Sequence, residues 1–573
     1  MKICAFQLNF TIGDLQGNFN KIAAAISKNS SKSDVLVFSE MAISGYPTGD
    51  LLLRKGFVDK QLRYLERVCE LTEGSDNIIL LGAVTKNKTG IGKPLYNTAI
   101  AFQNGKEIYR YNKQLLPTYN IFDEGRYFEA GRSDQNQIVR AFIDNQEVKF
   151  GVLICEDAWD DSTIVKNPLY HTNPMKDVGD SDVELIITIN ASPSHIGKNE
   201  ERYRMYEKLA KHYNKSILYV NQVGANDCLI FDGYSFFVQS PPMGTDRVSA
   251  FPMKGFDEDC GFFDTEEPQR NMFPPLHLAS DYKQIFAHLK LGVEDYVRKN
   301  GFKTVVVGSS GGIDSALTLA IACEALGSDN VIAITMPSKV SSLGSVSDSV
   351  TLCKNLGVKL YNRPIAEEVN LSIENFKKAF GTEPNRLTIE NEQARIRGRI
   401  LMEYSNNFGA LVLSTGNKSE MSVGYATIYG DMAGGIAVIA DVYKMEVFAV
   451  SKWYNQYKHN EIIPTTIIDK EPSAELWEAQ KDTDSLPPYP LLDAVLHLYL
   501  ERDLLSDREI VEYTKQCEAL TIGDIKKILT LTDRAEFKRR QAAPVLRIHR
   551  RSFGFGRNLP ITQKFEVDYQ NIL

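Results

Sequence analysis

The stretch VVVGSSGGIDSAL, residues 305–317, decides how the second half of this 573-residue chain folds. A run of valines reads as a buried strand, SSGG as a tight turn, and the apolar segment beginning IDSALTL as a helix. The turn's backbone N–H groups and the helix N-terminus therefore face one small concavity, which suits an anion. The run lacks the G-K-[ST] of a Walker A loop and the G-x-G-x-x-G of the usual dinucleotide fingerprint. What remains is S-G-G-x-D-S, Ser310 to Ser315, directly after a hydrophobic strand. The bland alternative is an ordinary strand-to-helix turn whose aspartate only caps.

Outward from this turn, ASDYKQIFAHLKLGVEDYVRKNG on one side reads as an amphipathic helix and NVIAITMPS on the other as the next strand, so an α/β unit occupies residues 281–573. Upstream, from about Ser240, the chain mixes Pro, Gly, acids and isolated aromatics without periodicity, which marks a boundary. Residues 266–280 are taken as the linker and 1–265 as a first unit. There, strand-sized runs (KICAFQLNF, VLVFSE, IILLGAV, KFGVLICED, VELIITINAS, SILYVNQVG) alternate with helical stretches, which predicts layered α/β architecture. The Pro- and Asn-rich insertion at 167–182 reads as a loop.

Length alone predicts about three to five domains, but the motifs point to two large ones. Lys+Arg 65 against Asp+Glu 73 gives a net charge of −8, which disfavours a polyanion as general partner. Against that background the basic tail cluster Lys538, Arg539, Arg540, Arg547, Arg550 and Arg551 is not read as a nucleic-acid surface. Eight cysteines without a C-x-x-C pair predict a reducing, cytoplasmic setting. No apolar run reaches the roughly 18 residues of a membrane helix, so no membrane partner is expected.

Glu40, Lys113 and Cys155 each stand where an apolar strand stops, the position where α/β folds gather chemistry. Taken singly they read as a surface acid, a surface base and a small buried thiol. Their contexts, FSEMAISGYPTGDLL, YNKQLLPTYNIFDEGRYFEAG and GVLICEDAW, resemble the three signature segments of the nitrilase or carbon–nitrogen hydrolase superfamily over roughly residues 1–260. The resemblance implies an αββα sandwich that hydrolyses a non-peptide C–N bond. It makes Cys155 the nucleophile, Glu40 the general base and Lys113 the cation at the tetrahedral oxyanion, with Glu124 orienting the site. Tyr119, Phe122 and Ser192 would shape or touch a glutamine pocket. Lys198 stands where some relatives carry arginine. The residue types suit the chemistry, since a thiol of pKa about 8.5 needs a base and a nearby cation to attack an amide at neutral pH.

The Ser310–Ser315 run resembles the pyrophosphate loop of N-type ATP pyrophosphatases, which implies a Rossmann-like parallel α/β domain. Ser310, Gly311, Gly312 and Ser315 would then cradle pyrophosphate and Asp314 would bind Mg²⁺. LTIENEQARIRGRILMEYSNN, LVLSTGNKSEMSVGYATIYGDMAGG and IADVYKMEVFAV resemble successive motifs of NAD synthetases, and the tail resembles their glutamine-dependent form. This implies that Thr415 and Glu420 face the nucleotide and a second Mg²⁺, and that Lys444 approaches the phosphates. Asn391 and Arg395 would hold deamido-NAD⁺, Asp431 would lie near its pyridine carboxylate, and Lys538 would be a phosphate ligand on a mobile loop. The substrates implied are glutamine, ATP and deamido-NAD⁺, with ammonia passing between the sites in a homo-oligomer. Two alternatives stay open at this point: another amidotransferase of the same class, or an amidase regulated by a nucleotide-binding module.

Overall fold

The computed structural model describes residues 1–240, 249–265, 281–477, 480–554 and 556–565. It divides into two compact units, Met1–Leu278 and Ala279–Leu573. The expected linker, 266–280, lies outside the described residues. Among the described residues no helix is long and apolar enough to cross a membrane.

The first unit is built on two six-stranded sheets. In spatial order one runs Asp259–Asp264, Lys2–Gln7, Val35–Val37, Ile78–Lys86, Leu95–Gln103 and Lys106–Asn112. The other runs Ser249–Pro252, Phe236–Gln239, Ser216–Asn221, Leu185–Asn190, Gln146–Ile154 and Ile138–Ile143. The central strands of each sheet pair in parallel and the outer ones antiparallel. Strand alternation sorts the layers. Ile3 and Ala5 join Val152, Ile187 and Leu218 in the core between the sheets. Cys4 and Phe6 pack with Leu15, Phe19, Ile22, Leu65 and Val68 of helices Leu15–Asn29 and Phe57–Glu70. Helix Lys198–Tyr213 supplies Tyr206, Leu209 and Ala210 to the core on the second sheet, completing the αββα order.

Two readings of this unit are corrected. The 167–182 insertion contains a helix, Pro174–Gly179: the Asn173 side chain accepts from Lys176 N, Pro174 stands at the first turn, and Met175 and Val178 are buried. Asn-Pro is a start signal as well as a loop signal. The aperiodic stretch after Ser240 holds two edge strands, Ser249–Pro252 and Asp259–Asp264, short and half-exposed as edges are, so their alternation is weak.

The second unit carries one wholly parallel sheet in the order Lys359–Asn362, Val331–Thr335, Val305–Gly308, Leu411–Ser414, Ile436–Ala437. Numbered along the chain that is 3-2-1-4-5. The order reverses between Val305–Gly308 and Leu411–Ser414, so the loops that follow these two strands open a crevice at their carboxyl ends. Into it run S-S-G-G before helix Ile313–Leu326 and T-G-N before helix Lys418–Val423.

Candidate active sites

In the first unit, Glu40 follows strand Val35–Val37 and Cys155 follows strand Gln146–Ile154, from facing sheets. Cys155 has φ 45°, a left-handed conformation unusual for a non-glycine side chain, which turns the chain sharply at the strand end. Lys113 comes from the end of Lys106–Asn112. Its ammonium donates to Glu40 Oε1 at 2.9 Å and to Glu124 Oε1 at 2.8 Å, and all three side chains are at most 5% exposed. Asn97 Nδ2 and Ala191 N also donate to Glu40, at 2.7 and 2.8 Å, while the Tyr46 hydroxyl donates to Glu124 at 3.0 Å.

Burial alone would lower the Lys113 pKa, but Glu124 and Glu40 hold its ammonium well above the ordinary value. Burial pushes the Glu124 carboxyl up to about 7 against the pull of Lys113. Burial and then Glu40 also push the Cys155 thiol well above its usual value, with Lys113 opposing. The thiol therefore rests protonated and needs a base beside it. Glu40, Lys113, Glu124 and Cys155 are thus brought together.

Of the residues expected around the substrate, Ser192 is buried, with its N–H donated to Asn221 Oδ1 at 2.9 Å. Tyr119 packs edge-on against Phe122, and its hydroxyl donates to Glu156 at 2.9 Å. Lys198 stands 3.7 Å above the Trp159 ring and pairs with Glu201 at 3.2 Å. Sequence reasoning passed over four partners. Tyr46 and Asn97 fix the acids. Glu156, buried, accepts from Tyr119 and Tyr170. Asp157 accepts from Gln114 N, Leu115 N and Tyr111 Oη, tying the lysine's strand end to the cysteine's turn. The adjacent acids in CEDAW were the available signal for the last two.

In the second unit, Gly311 has φ 75°, and a Cβ there would meet the Ser345 carbonyl oxygen at 2.3 Å, so only glycine lets the turn lie this close. Gly312 N donates to Ser310 Oγ at 3.2 Å and Ser310 N to Ser315 Oγ at 3.3 Å. A cavity of about 280 Å³ opens above this turn. Ser310, Gly312, Asp314, Ser315, Thr415, Glu420, Asp431 and Lys444 all line it. Lys444 Nζ donates to Asp314 at 2.5 Å and Glu420 at 3.2 Å, and Asn417 Nδ2 donates to Asp314 at 2.9 Å. Burial raises the Glu420 pKa to about 8, with Lys444 pulling down and Asp314 pushing up. Two carboxylates sharing one cation are hard oxygen donors of the kind magnesium takes.

Asn391, Arg395 and Lys538 are not among the residues lining this cavity. Asn391 accepts from the Thr427 hydroxyl at 2.8 Å and Arg395 donates to Ile428 O at 3.3 Å, so both touch the segment that carries Asp431. Lys538 sits in a helical turn, Glu536–Arg539, rather than a mobile loop, and its ammonium donates to Gly424 O and Ala426 O. The other tail arginines are similarly engaged: Arg539 on Met421 O and Ser422 O, Arg551 on Leu500 O and Asp503. They close helix ends, as basic residues do. The cavity's own arginine is Arg397, half-buried, its Nε on Met336 O at 3.1 Å, and desolvation lowers its pKa to about 10.

A cysteine, two acids and a lysine at the ends of two stacked sheets, with a glycine-rich phosphate loop at a parallel sheet's switch point, define an amide hydrolase joined to a nucleotide-using ligase. The carbon-nitrogen hydrolase family model matches residues 2–238 and the NAD synthase model residues 285–542. The glutamine-dependent NAD(+) synthetase of Synechocystis sp. is 41% identical over 571 residues, covering 98% of this chain and 99% of that one. That of Acinetobacter baylyi is 38% identical over 570 residues, 99% of each. Among solved structures, the glutamine-dependent NAD⁺ synthetase of Acinetobacter baumannii in complex with ADP superposes with a TM-score of 0.73 at 35% identity, covering 98% of both chains. The chain belongs to the glutamine-dependent NAD(+) synthetases.

Proposed function

We propose that the two units divide the family's reaction between them. The chain makes NAD⁺ from deamido-NAD⁺ with glutamine and ATP. At the first site Glu40 takes the Cys155 proton as sulfur attacks the glutamine amide carbon. Lys113, held by two carboxylates, donates to the oxygen as it becomes negative. Glu40 passes that proton to the nitrogen, ammonia leaves, and water resolves the thioester to glutamate, restoring the thiol. Glu124, when ionised, keeps Lys113 aimed and charged. The charge must develop in a buried setting, where a fixed donor is worth more than in water.

At the second site the nicotinate carboxylate takes up the adenylyl group of ATP with loss of pyrophosphate, and ammonia then displaces AMP. Ser310, Gly312 and Ser315 present donors to the departing pyrophosphate, and Lys444 lies within reach of the same cavity. Asp314 and Glu420 would hold Mg²⁺, which when bound offsets phosphate charge. What supports this reading is that one chain carries both sets, each with a buried lysine between two carboxylates beyond a strand end. In the test, Cys155→Ala should abolish NAD⁺ formation from glutamine yet keep it with ammonium salt, and Asp314→Ala should abolish both. Glutamine-driven synthesis by Cys155→Ala would refute the nucleophile, and ammonium-driven synthesis by Asp314→Ala would refute the second site.

A further inference from the structure

Asp482 belongs to the cavity of the second unit, yet neither the sequence nor the reaction above gives it a part. It is 4% exposed and lines the same cavity as Asp314, Glu420 and Lys444. Its Oδ2 accepts from the Tyr489 hydroxyl at 2.9 Å. Its Oδ1 is buried without a well-formed hydrogen bond, the Tyr425 hydroxyl standing near the carboxylate but itself accepting from Gln480 Nε2 at 3.1 Å. Nor is the side chain needed to start the short turn Asp482–Asp484, because Asp484 does that by accepting from Lys481 N at 2.9 Å. A buried carboxylate oxygen left in this state is costly and calls for a donor that arrives with a ligand.

The local charge points to which ligand. Lys444 neutralises one of three carboxylates, Asp314, Glu420 and Asp482, leaving a formal charge of −2 around one ammonium. The other lining cations face other acids: Lys470 pairs with Glu475, and Arg397 is set against Glu475 and Asp431. Once Glu420 has given up its proton, a deficit of two matches one divalent cation. Among the described residues no three acids, histidines or cysteines are gathered closely enough to hold a metal between them, so the third carboxylate must act at one remove. Magnesium favours this, because it keeps several waters and takes only one or two carboxylates beside the phosphates.

We propose that Asp482 is a positioning residue whose Oδ1 accepts a hydrogen bond from a water carried by the cation that Asp314 and Glu420 hold with ATP. The inference rests on the magnesium reading above and extends it to a residue outside the direct ligands. Asp482 thereby fixes how the hydrated cation is turned toward the triphosphate.

The test uses the full-length protein, Mn²⁺ as probe and a non-hydrolysable ATP analogue, with free Mn²⁺ counted by electron paramagnetic resonance. Asp482→Asn keeps the shape and removes the charge; it should weaken Mn²⁺ binding roughly 10-fold or more, the usual effect of losing an outer acceptor. Analogue binding without metal should stay the same. The loss should persist in a Lys444→Met background. Unchanged Mn²⁺ affinity in Asp482→Asn overturns the proposal. So does disappearance of the effect in Lys444→Met, which would make Asp482 only a counter-charge to the lysine. Should Asp482→Asn fail to fold, Asp482→Ser carries the same expectation. Asp314→Asn separates the two levels: if it leaves Mn²⁺ affinity at the wild-type value, the magnesium reading itself fails. If it weakens binding while Asp482→Asn does not, only this inference fails.

Discussion

Lys113→Met removes the one cation between two buried carboxylates and keeps the volume. In the native site the ammonium donates to Glu40 at 2.9 Å and Glu124 at 2.8 Å. Asn97, Ala191 and Tyr46 still donate to those acids in the variant, so the loss falls on charge more than on hydrogen-bond count. Breaking a buried pair from one side costs roughly 3–5 kcal/mol. The variant can relieve part of this by holding a proton on one carboxylate. The sign follows from linkage: a folded state that holds a proton the unfolded chain has released loses about 1.4 kcal/mol of stability per pH unit as pH rises. Wild type carries that slope only up to about pH 7, where Glu124 titrates. In Lys113→Met it should continue, so the stability gap should widen by about 1 kcal/mol between pH 7 and 8. Trp159 is the first unit's single tryptophan of the chain's three, so urea unfolding followed by its fluorescence, in a Trp453→Phe, Trp477→Phe background, reads the gap. A gap below about 1 kcal/mol, or one that does not change with pH, would show that the lysine is not the charge holding these acids together.

Two further outcomes follow from the second unit. Gly311→Ala sets a Cβ 2.3 Å from the Ser345 carbonyl oxygen, whereas Gly301→Ala, at φ 80°, meets nothing within 4 Å. Both should be strained by roughly 1–2 kcal/mol, but only Gly311→Ala should also lose binding of an ATP analogue by calorimetry, and equal binding by the two variants would refute the close approach. Desolvation of the carboxyl raises the Asp431 pKa from 3.8 to about 6 although the residue as a whole is exposed. The cost of its charge is therefore absent below pH about 4 and grows as pH rises through 6, to an extent that solvent screening reduces. Asp431→Asn should accordingly gain stability over wild type across that range in thermal unfolding while losing affinity for deamido-NAD⁺; a pH-independent difference would contradict the desolvation argument.

How far the sequence could be read depended on which contacts are local. Glu40, Cys155 and the Ser310–Ser315 turn were legible because each ends a parallel strand, and parallel strands are continuous apolar runs visible in one dimension. Asn97 and Tyr46 were not, since the acids they serve lie 57 and 78 residues away and meet them only once the first sheet and its flanking loops have formed. Arg397 was missed for a different reason. Arg395, Arg397 and Arg399 look like one solvated face, but at 100° per residue Arg397 points some 200° from Arg395. Arg399 accordingly pairs with Glu403 in solvent while Arg397 lines the cavity. The setting of Lys538 differs from the expected mobile loop because the segment Glu536–Arg539 is helical and its ammonium donates to Gly424 O and Ala426 O.

Both units arrive at the same local arrangement: a buried lysine between two carboxylates, Lys113 between Glu40 and Glu124 and Lys444 between Asp314 and Glu420. On the reading proposed here the two serve opposite ends, and the substrate's charge decides which. The glutamine amide brings no charge to the first site, so a single fixed ammonium suffices for the oxygen that becomes negative, and nothing competes for its two acids. ATP brings several negative charges into the second, where one ammonium is too little and a third carboxylate, Asp482, stands with an oxygen unfilled. There the lysine holds the position that a stronger cation takes with the nucleotide, and is released toward the phosphates when it does. The two clusters should then respond differently to added Mg²⁺: the nucleotide site should tighten, and glutamine hydrolysis assayed at fixed occupancy of the second site should not change.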